Sequence, residues 1–289
     1  MLIITGANGQ LGAAIIENLL RLVPASQLVA SVREPGQATA LAERGVQVRA
    51  GDFAQPESLR TAFAGADQVL LVSANKLGEE ARRLHQAAIA AAHAAGAGRI
   101  LYTSHMGARA DSFFEPALNH AASEAMLAAQ GVAYTSLRHG FYAESALHMI
   151  GHGLREGVIR APEDGPVSWT TRADLAEADA LILTQPGRFE GATPPLTALA
   201  AVTLDEVAAI ASEVAGREIK RVTITDDEWR QATIARGVPA PMAEMLLGTY
   251  RSSRRGDFAA VDPTLATLLG RPPQTMRDVL AQFLKPTAD

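Results

Sequence analysis

The 289-residue chain has no cysteine, which excludes disulfides, thiolate catalysis and zinc–thiolate sites. It has no basic excess either: 26 Lys and Arg stand against 31 Asp and Glu, for a formal net charge of −5. A general nucleic-acid binder needs a basic face, so no nucleic-acid partner is expected. No apolar run is long enough to span a bilayer, and no membrane partner is expected. A strand-like pattern begins at residue 2 and leaves no room before it for a signal peptide. With the missing cysteines, this predicts a cytoplasmic protein. Internal repeats, low-complexity stretches and a Gly-x-Ser-x-Gly nucleophile elbow are also lacking. His148 and His152 are four apart, like a helical metal pair. Gly151 and Gly153 weaken that helix and no Glu follows His148, so no metal is expected.

What is present is concentrated in the first dozen residues. The run Leu2-Ile3-Ile4-Thr5 reaches Gly6-Ala7-Asn8-Gly9-Gln10-Leu11-Gly12, and Ala14, Ile15, Leu19 and Leu22 then follow at helical spacing. A buried strand, a tight turn and a helix N-terminus in that order make a seat for a pyrophosphate. Gly6 permits the turn, Gly9 allows close approach of backbone to phosphate, and Gly12 lets the helix pack closely. The expected cofactor is a nicotinamide dinucleotide.

Strand patterns at Leu2–Thr5, Leu28–Val32, Val46–Ala50, Gln68–Val72, Arg99–Tyr102 and Ala133–Leu137 alternate with helical runs at Gln10–Leu22, Gln37–Arg44, Pro56–Ala64, Gly78–Ala95 and Pro116–Ala129. That rhythm predicts an α/β fold with a doubly wound parallel Rossmann sheet and a ligand at the carboxyl ends of the strands. After about residue 150, closely spaced Gly and Pro read as loops. A helix at Arg172–Thr184, a Gly- and Pro-rich linker at Gln185–Pro195, a helix at Leu204–Ala215 with Thr203 and Glu206 as capping box, and a strand at Glu218–Thr225 follow. The organisation expected is an NAD(P)-binding domain over 1–150 and a smaller, mostly helical substrate or lid part over 151–289. Residues 168–184 could pack back on the first domain.

Cofactor choice is read at the end of the second strand, Ser31-Val32-Arg33-Glu34. Ser31 stands where an acid would hold the ribose of NAD, and Arg33 offers a guanidinium fork for a 2′-phosphate. NADP is favoured, and Glu34 keeps NAD open. Asp52, followed by Phe53, could accept a bond from the adenine amino group or cap the helix near Pro56. Val72, Ser73 and Ala74 should run beside the cofactor's ribose.

Thr5–Gly12, Val23-Pro24-Ala25-Ser26-Gln27, Gly51-Asp52, Gln55–Leu59 and Leu137-Arg138 resemble the NmrA-like branch of atypical short-chain dehydrogenases, a branch with quinone and triphenylmethane reductases among its members. The similarity runs most of the length and includes Gly237-Val238-Pro239-Ala240-Pro241. It implies an NADP-binding Rossmann domain and a small lid-like C-terminal domain with a substrate cleft between them. Typical short-chain dehydrogenases carry a Tyr four residues before a Lys after the fifth strand. Here Pro116 and His120 occupy those places, while Thr103 and Ser104 retain a hydroxyl pair. Alcohol–ketone chemistry needs a phenolic acid near the carbonyl oxygen. A quinone or a cationic triarylmethane carbon accepts hydride without one.

The expected activity is therefore NADPH-dependent reduction of a small aromatic or quinone acceptor. His120 could contact the nicotinamide ribose, act as a weak acid, or simply pack. The position of His139 resembles a nicotinamide contact. Phe141 and Tyr142 could stack on a flat acceptor or lie in the core, and Tyr142 joins His120 as a catalytic candidate. An NADP-binding redox sensor without turnover is the alternative, and an epimerase a weaker one. Lys76 reads as a solvated loop residue, and Arg251, Arg254 and Arg255 as a solvated helix end. The chain is expected to be a monomer or a homodimer.

Overall fold

The alternating pattern becomes, in the computed structural model, which describes residues 1–285, the series β1 (Leu2–Thr5), α1 (Gln10–Leu19), β2 (Leu28–Val32), α2 (Thr39–Glu43), β3 (Gln47–Ala50), α3 (Pro56–Ala62), β4 (Gln68–Leu71), α4 (Gly78–Ala94), β5 (Arg99–His105), α5 (Glu115–Ala128) and β6 (Ala133–His139). Then come α6 (Ala143–Glu156), β7 (Val158–Ala161), α7 (Arg172–Thr184), β8 (Gly191–Ala192), α8 (Leu204–Ala215), β9 (Lys220–Thr223), α9 (Asp226–Ala235), α10 (Ala240–Arg254), α11 (Thr264–Leu269) and α12 (Met276–Phe283).

One unit comprises Met1–Ala110, Pro116–Arg138 and Arg172–Pro194. Its parallel sheet has the order β3-β2-β1-β4-β5-β6-β8, with Ile3 in register with both Val29 and Val69. Strand order reverses between β1 and β4, which opens a crevice at their carboxyl ends. Ile3, Val29, Val69 and Ile100 on one sheet face pack with Leu59, Phe63, Ile89 and Tyr102. α1, which buries Ile15, Ile16 and Leu19, contacts α7.

The amino-terminal edge of the sheet is closed by Arg99. Its guanidinium donates to Thr135 Oγ1 (2.6 Å), Gln68 Oε1 (3.2 Å), Ile182 O (3.3 Å) and Phe189 O (3.1 Å). Gln68 Nε2 donates to Leu183 O (3.0 Å). The last carbonyls of a helix have no intrahelical partner, and these two side chains supply partners for α7. Burial lowers the pKa of Arg99, with Glu190 opposing it.

The other unit holds Asp111–Glu115, His139–Thr171 and the residues from Pro195 onward. It is mostly helical, with a two-stranded parallel sheet in which Val158 faces Lys220 and Ala161 faces Thr223. Phe114, Phe141, Trp169 and Phe258 form its aromatic core, with the Phe141 ring centroid within 5.3 Å of each of the others. Thr203, Thr225 and Thr275 start α8, α9 and α12 with capping boxes, which satisfy N–H groups that a helix start otherwise exposes.

Four local expectations are corrected. Gly151 and Gly153 lie inside α6 instead of marking a loop. Packing demands Gly153, where a Cβ would come within 2.5 Å of Val158 O, and at Gly151 a Cβ would come within 2.9 Å of the tip of the Phe283 ring. The stretch Gln185–Pro195 contains β8, which pairs Gly191 with Thr135 and Ala192 with Ser136. The helix expected from Gln37 begins as a 3₁₀ turn over Pro35–Ala38, because Pro35 starts it. The strand expected over Glu218–Thr225 spans only Lys220–Thr223, as Thr225 turns to cap α9.

Candidate dinucleotide site

Gly6 has φ +60°, a backbone conformation that side chains disfavour. Gly9 N donates back to Gly6 O at 2.8 Å. Gly9 is also the N-cap of α1 and makes no side-chain capping bond, so the first N–H groups of α1 face outward without a side-chain partner. A Cβ on Gly12 would stand 2.4 Å from Gly6 O. The helix is pressed onto the turn more closely than any side chain allows.

This turn opens a cleft of about 590 Å³. Of the residues expected at the cofactor, Gly6, Asn8, Gly9, Arg33, Asp52, Phe53, Val72, Ser73 and Ala74 line it. Gln10, Leu11 and Gly12 form the first turn of α1 behind it, with Leu11 buried. Gln37, Gly51 and Leu84 also line the cleft without having been anticipated as cofactor contacts from their chemistry. Gly51 carried a signal, since Gly51-Asp52 is among the residues of the family resemblance, and in the fold its Cβ would fall 2.3 Å from Ser31 Oγ. Leu84 carried none, because an apolar residue on a helix reads the same whether it faces a core or a cleft.

The cleft wall is held by hydroxyls. Thr5 Oγ1 donates to Leu70 O (3.1 Å) and accepts from Val72 N (2.9 Å). Thr103 Oγ1 accepts from Ser73 N (2.9 Å) and donates to Ser73 Oγ (3.2 Å). His85 Nε2 accepts from Ala74 N at 2.9 Å. Ser104 Oγ donates to Glu124 Oε1 at 2.7 Å, and Glu124 also receives Arg138 through Nε (3.0 Å) and Nη2 (2.6 Å). That pairing raises the pKa of Arg138 and keeps it charged. Thr103 and Ser104 thus brace the site from the neighbouring strand.

Arg33 is exposed on the cleft rim. The neighbouring Glu34 accepts from Gln37 Nε2 at 2.5 Å. The Ser31 hydroxyl is buried without a hydrogen-bond partner among the described residues. Asp52 Oδ1 accepts from Ala54 N (2.9 Å), a local turn. Gln55 is the N-cap of α3, so Asp52 does not cap that helix. Lys76 pairs with Glu80 at 3.0 Å, both exposed.

His120, on α5, is half-buried and its Nδ1 lies 2.9 Å from Tyr102 Oη. His139 and Tyr142 belong to the other unit, where His139 is fully buried and its Nδ1 lies 3.3 Å from Tyr142 Oη. Phe141 is buried in the aromatic core, which answers the choice between stacking and packing in favour of packing. Among the described residues no three His, Asp or Glu are grouped to hold a metal, and His152 pairs with Glu156. Arg251 and Arg254 converge on Asp226, and Arg255 binds Asp257. That helix end is neutralised, not merely solvated. Among the described residues no helix is long and apolar enough to cross a membrane.

A reversed parallel sheet, a glycine turn ahead of an uncapped helix and a cleft at the reversal define a Rossmann-type dinucleotide-binding protein. The family described as NAD(P)H-binding matches residues 6–186. The chain is 37% identical over 284 residues to quinone oxidoreductase 2 of Escherichia coli (strain K12), covering 98% of each. Its fold matches that of an Escherichia coli NADPH-dependent quinone oxidoreductase complexed with NADPH, with TM-score 0.93 and 35% identity over 99% of this chain and 100% of that one. It also matches the triphenylmethane reductase of Citrobacter sp. complexed with NADP(H), with TM-score 0.90 and 34% identity over 98% of this chain and 100% of that one. The chain belongs to the NAD(P)H-binding family, in its NmrA-like branch.

Proposed function

We propose that this protein is a cytoplasmic reductase that uses NADPH to reduce quinone-like or cationic aromatic acceptors. The observation that carries the cofactor half is the cradle of Gly6, Gly9 and Gly12 ahead of an uncapped α1. The backbone there would hold the pyrophosphate, and Arg33 a 2′-phosphate, with the unpartnered Ser31 hydroxyl beside them. Asp52 and Phe53 would border the adenine, and Val72–Ala74 the ribose. When bound, the reduced nicotinamide supplies a hydride.

The acceptor half rests on Pro116, which stands where a phenolic acid would be needed for alcohol–ketone chemistry. A quinone takes the hydride and one proton and leaves as a hydroquinone, so the protein's task is mainly to orient it. His120 is the group we assign to donate a hydrogen bond or proton. His139 is assigned to the nicotinamide and Tyr142 to the acceptor. The similarity to quinone and triphenylmethane reductases over nearly the whole chain supports this reading.

The test is loss of reduced-nicotinamide absorbance when NADPH and a simple benzoquinone or a triarylmethane dye are added. Turnover with NADPH, slower with NADH, is expected. Saturable NADPH binding with no oxidation across a panel of quinones and dyes would replace the enzyme with a sensor of the cofactor ratio.

A further inference from the structure

Behind the cleft wall lies a hydrogen-bonded chain whose middle members, His85, Tyr102 and Ser123, are buried. Ala74, which lines the cleft, donates its N–H to His85 Nε2 at 2.9 Å. His85 Nδ1 lies 2.9 Å from Ser123 Oγ and 3.3 Å from Tyr102 Oη. Ser123 Oγ donates to Asn119 O at 2.8 Å. Tyr102 Oη lies 2.9 Å from His120 Nδ1. His85 is 3% exposed and Tyr102 and Ser123 are 0% exposed, so these partners are not exchanged for water.

The direction of each bond follows from the inventory of donors and acceptors. A backbone N–H can only donate, so His85 Nε2 must carry a lone pair. The proton of the neutral ring is then on Nδ1. Burial pushes the His85 pKa down to about 4, so the ring stays neutral at ordinary pH. Its Nδ1–H donates to Ser123 Oγ, whose own hydrogen goes to Asn119 O. Tyr102 Oη meets two imidazole nitrogens, His85 Nδ1 and His120 Nδ1. The first already holds a proton and cannot accept another from the phenol. Of these two nitrogens only His120 Nδ1 can accept the phenolic hydrogen. A ring that accepts at Nδ1 bears its proton on Nε2. The stacked neighbour, His105, 6.1 Å from His120 between centroids, is fixed in the same sense, because Gly107 N donates to its Nδ1 at 3.0 Å.

We propose that Tyr102 is a positioning residue that locks His120 in the Nε2–H tautomer, its own direction being set by His85 and the Ala74 amide of the cleft wall. This rests on the assignment of His120 as the donor in the reduction. In an unlocked ring the proton is shared between the two nitrogens, and the donor is absent from Nε2 for part of the time. The chain has a second consequence. The amide that orders the cleft wall and the tautomer of His120 belong to one set of bonds, so a change at either end reaches the other through two buried rings.

The experiment uses the full-length protein labelled with ¹⁵N in its histidine rings, with the His120 signals assigned by their absence in His120→Gln. In the wild-type protein with NADPH bound, Nδ1 should show the unprotonated signal and Nε2 the protonated one. Tyr102→Phe keeps a ring in the core and removes the hydroxyl. It should bring the two signals together and lower kcat with benzoquinone roughly tenfold, the worth of one net hydrogen bond, with KM for NADPH unchanged. A proton on Nδ1 in the wild-type protein overturns the proposal, and this measurement does not depend on how well the variant folds. Unaltered ring signals and unaltered kcat in Tyr102→Phe overturn it equally. Full turnover in His120→Gln would instead remove His120 as donor, a failure of the functional assignment that the wild-type ring signals distinguish from a failure of the lock.

Discussion

At the amino-terminal edge of the central sheet, Arg99 and Gln68 satisfy the carbonyls of Ile182, Leu183 and Phe189. At the carboxyl-terminal edge stand Gly6, Ser31, Gly51 and Val72, and polar groups there are held ready instead of spent. The first turn of α1 has no side-chain cap, and the Ser31 hydroxyl is buried without a partner among the described residues. The lesson is that one sheet separates its two tasks by edge. Closing every hydrogen bond stabilises the fold. Leaving donors unclosed in a cleft reserves them for a ligand.

The contrast is broken most severely at the closed edge. Arg99→Met leaves Thr135 Oγ1 and Gln68 Oε1 without their donor, while Phe189 O keeps Thr135 Oγ1 and Ile182 O keeps Gln185 N. We expect a loss on the order of 3–5 kcal/mol at about 1–3 kcal/mol for each unsatisfied buried group, with partial relaxation. Urea unfolding measures it. An unchanged KM for NADPH in the same variant would confine the damage to stability, whereas a cofactor defect as large as the stability loss would show that the edges are not independent.

Next comes the dependence on acid. The folded pKa of His85 lies near 4 against an ordinary value of 6.5. Above the ordinary value neither state binds the proton and stability from this group is flat. As pH falls from 6.5 towards 4 the unfolded ring takes up a proton that the folded ring refuses. Stability should drop by on the order of 3 kcal/mol across that window. His85→Gln, which can still accept from Ala74 N, should flatten the curve. The same acid slope in both proteins would place its origin elsewhere.

At the open edge, Gly12→Ala forces a Cβ to within 2.4 Å of Gly6 O. Overpacking of this kind costs about 1–3 kcal/mol, and the turn that must move is the one assigned to the pyrophosphate. Calorimetry should show NADPH binding weakened by up to about a hundredfold. Unaltered affinity would dissociate the turn from the cofactor.

Smallest and most selective is Arg33→Ala. A charge-assisted bond is worth about 1.5–3 kcal/mol, or roughly ten- to hundredfold, for a fully engaged phosphate, and an exposed rim lies at the lower end. Only NADPH should be affected. Equal losses for NADPH and NADH would take the 2′-phosphate away from Arg33 and sharpen attention on Ser31.

Much of the open edge was legible from residue order. Gly6, Gly9 and Gly12 sit where their spacing put them, and Thr203 with Glu206 makes the capping box it spelled, because both signals act over a few neighbouring residues. What could not be read was contact between distant segments. Gly151 and Gly153 look like breakers until Phe283 and Val158 are brought against them. Phe141 offered a stacking face and instead fills a core with Trp169 and Phe258. Arg99 and Tyr102 drew no notice as polar groups, since nothing near them in the chain names Phe189 or His120 as partners.

The sequence by itself determined the α/β alternation, the phosphate-binding turn and the absence of a short-chain dehydrogenase's Tyr and Lys, since periodicity, glycine conformation and residue identity are local properties. Only the tertiary structure decided which polar groups are spent and which are reserved, and which side chains meet at His85, Tyr102 and His120. Hydrogen-bond direction depends on partners that folding alone brings within 3 Å or so of one another.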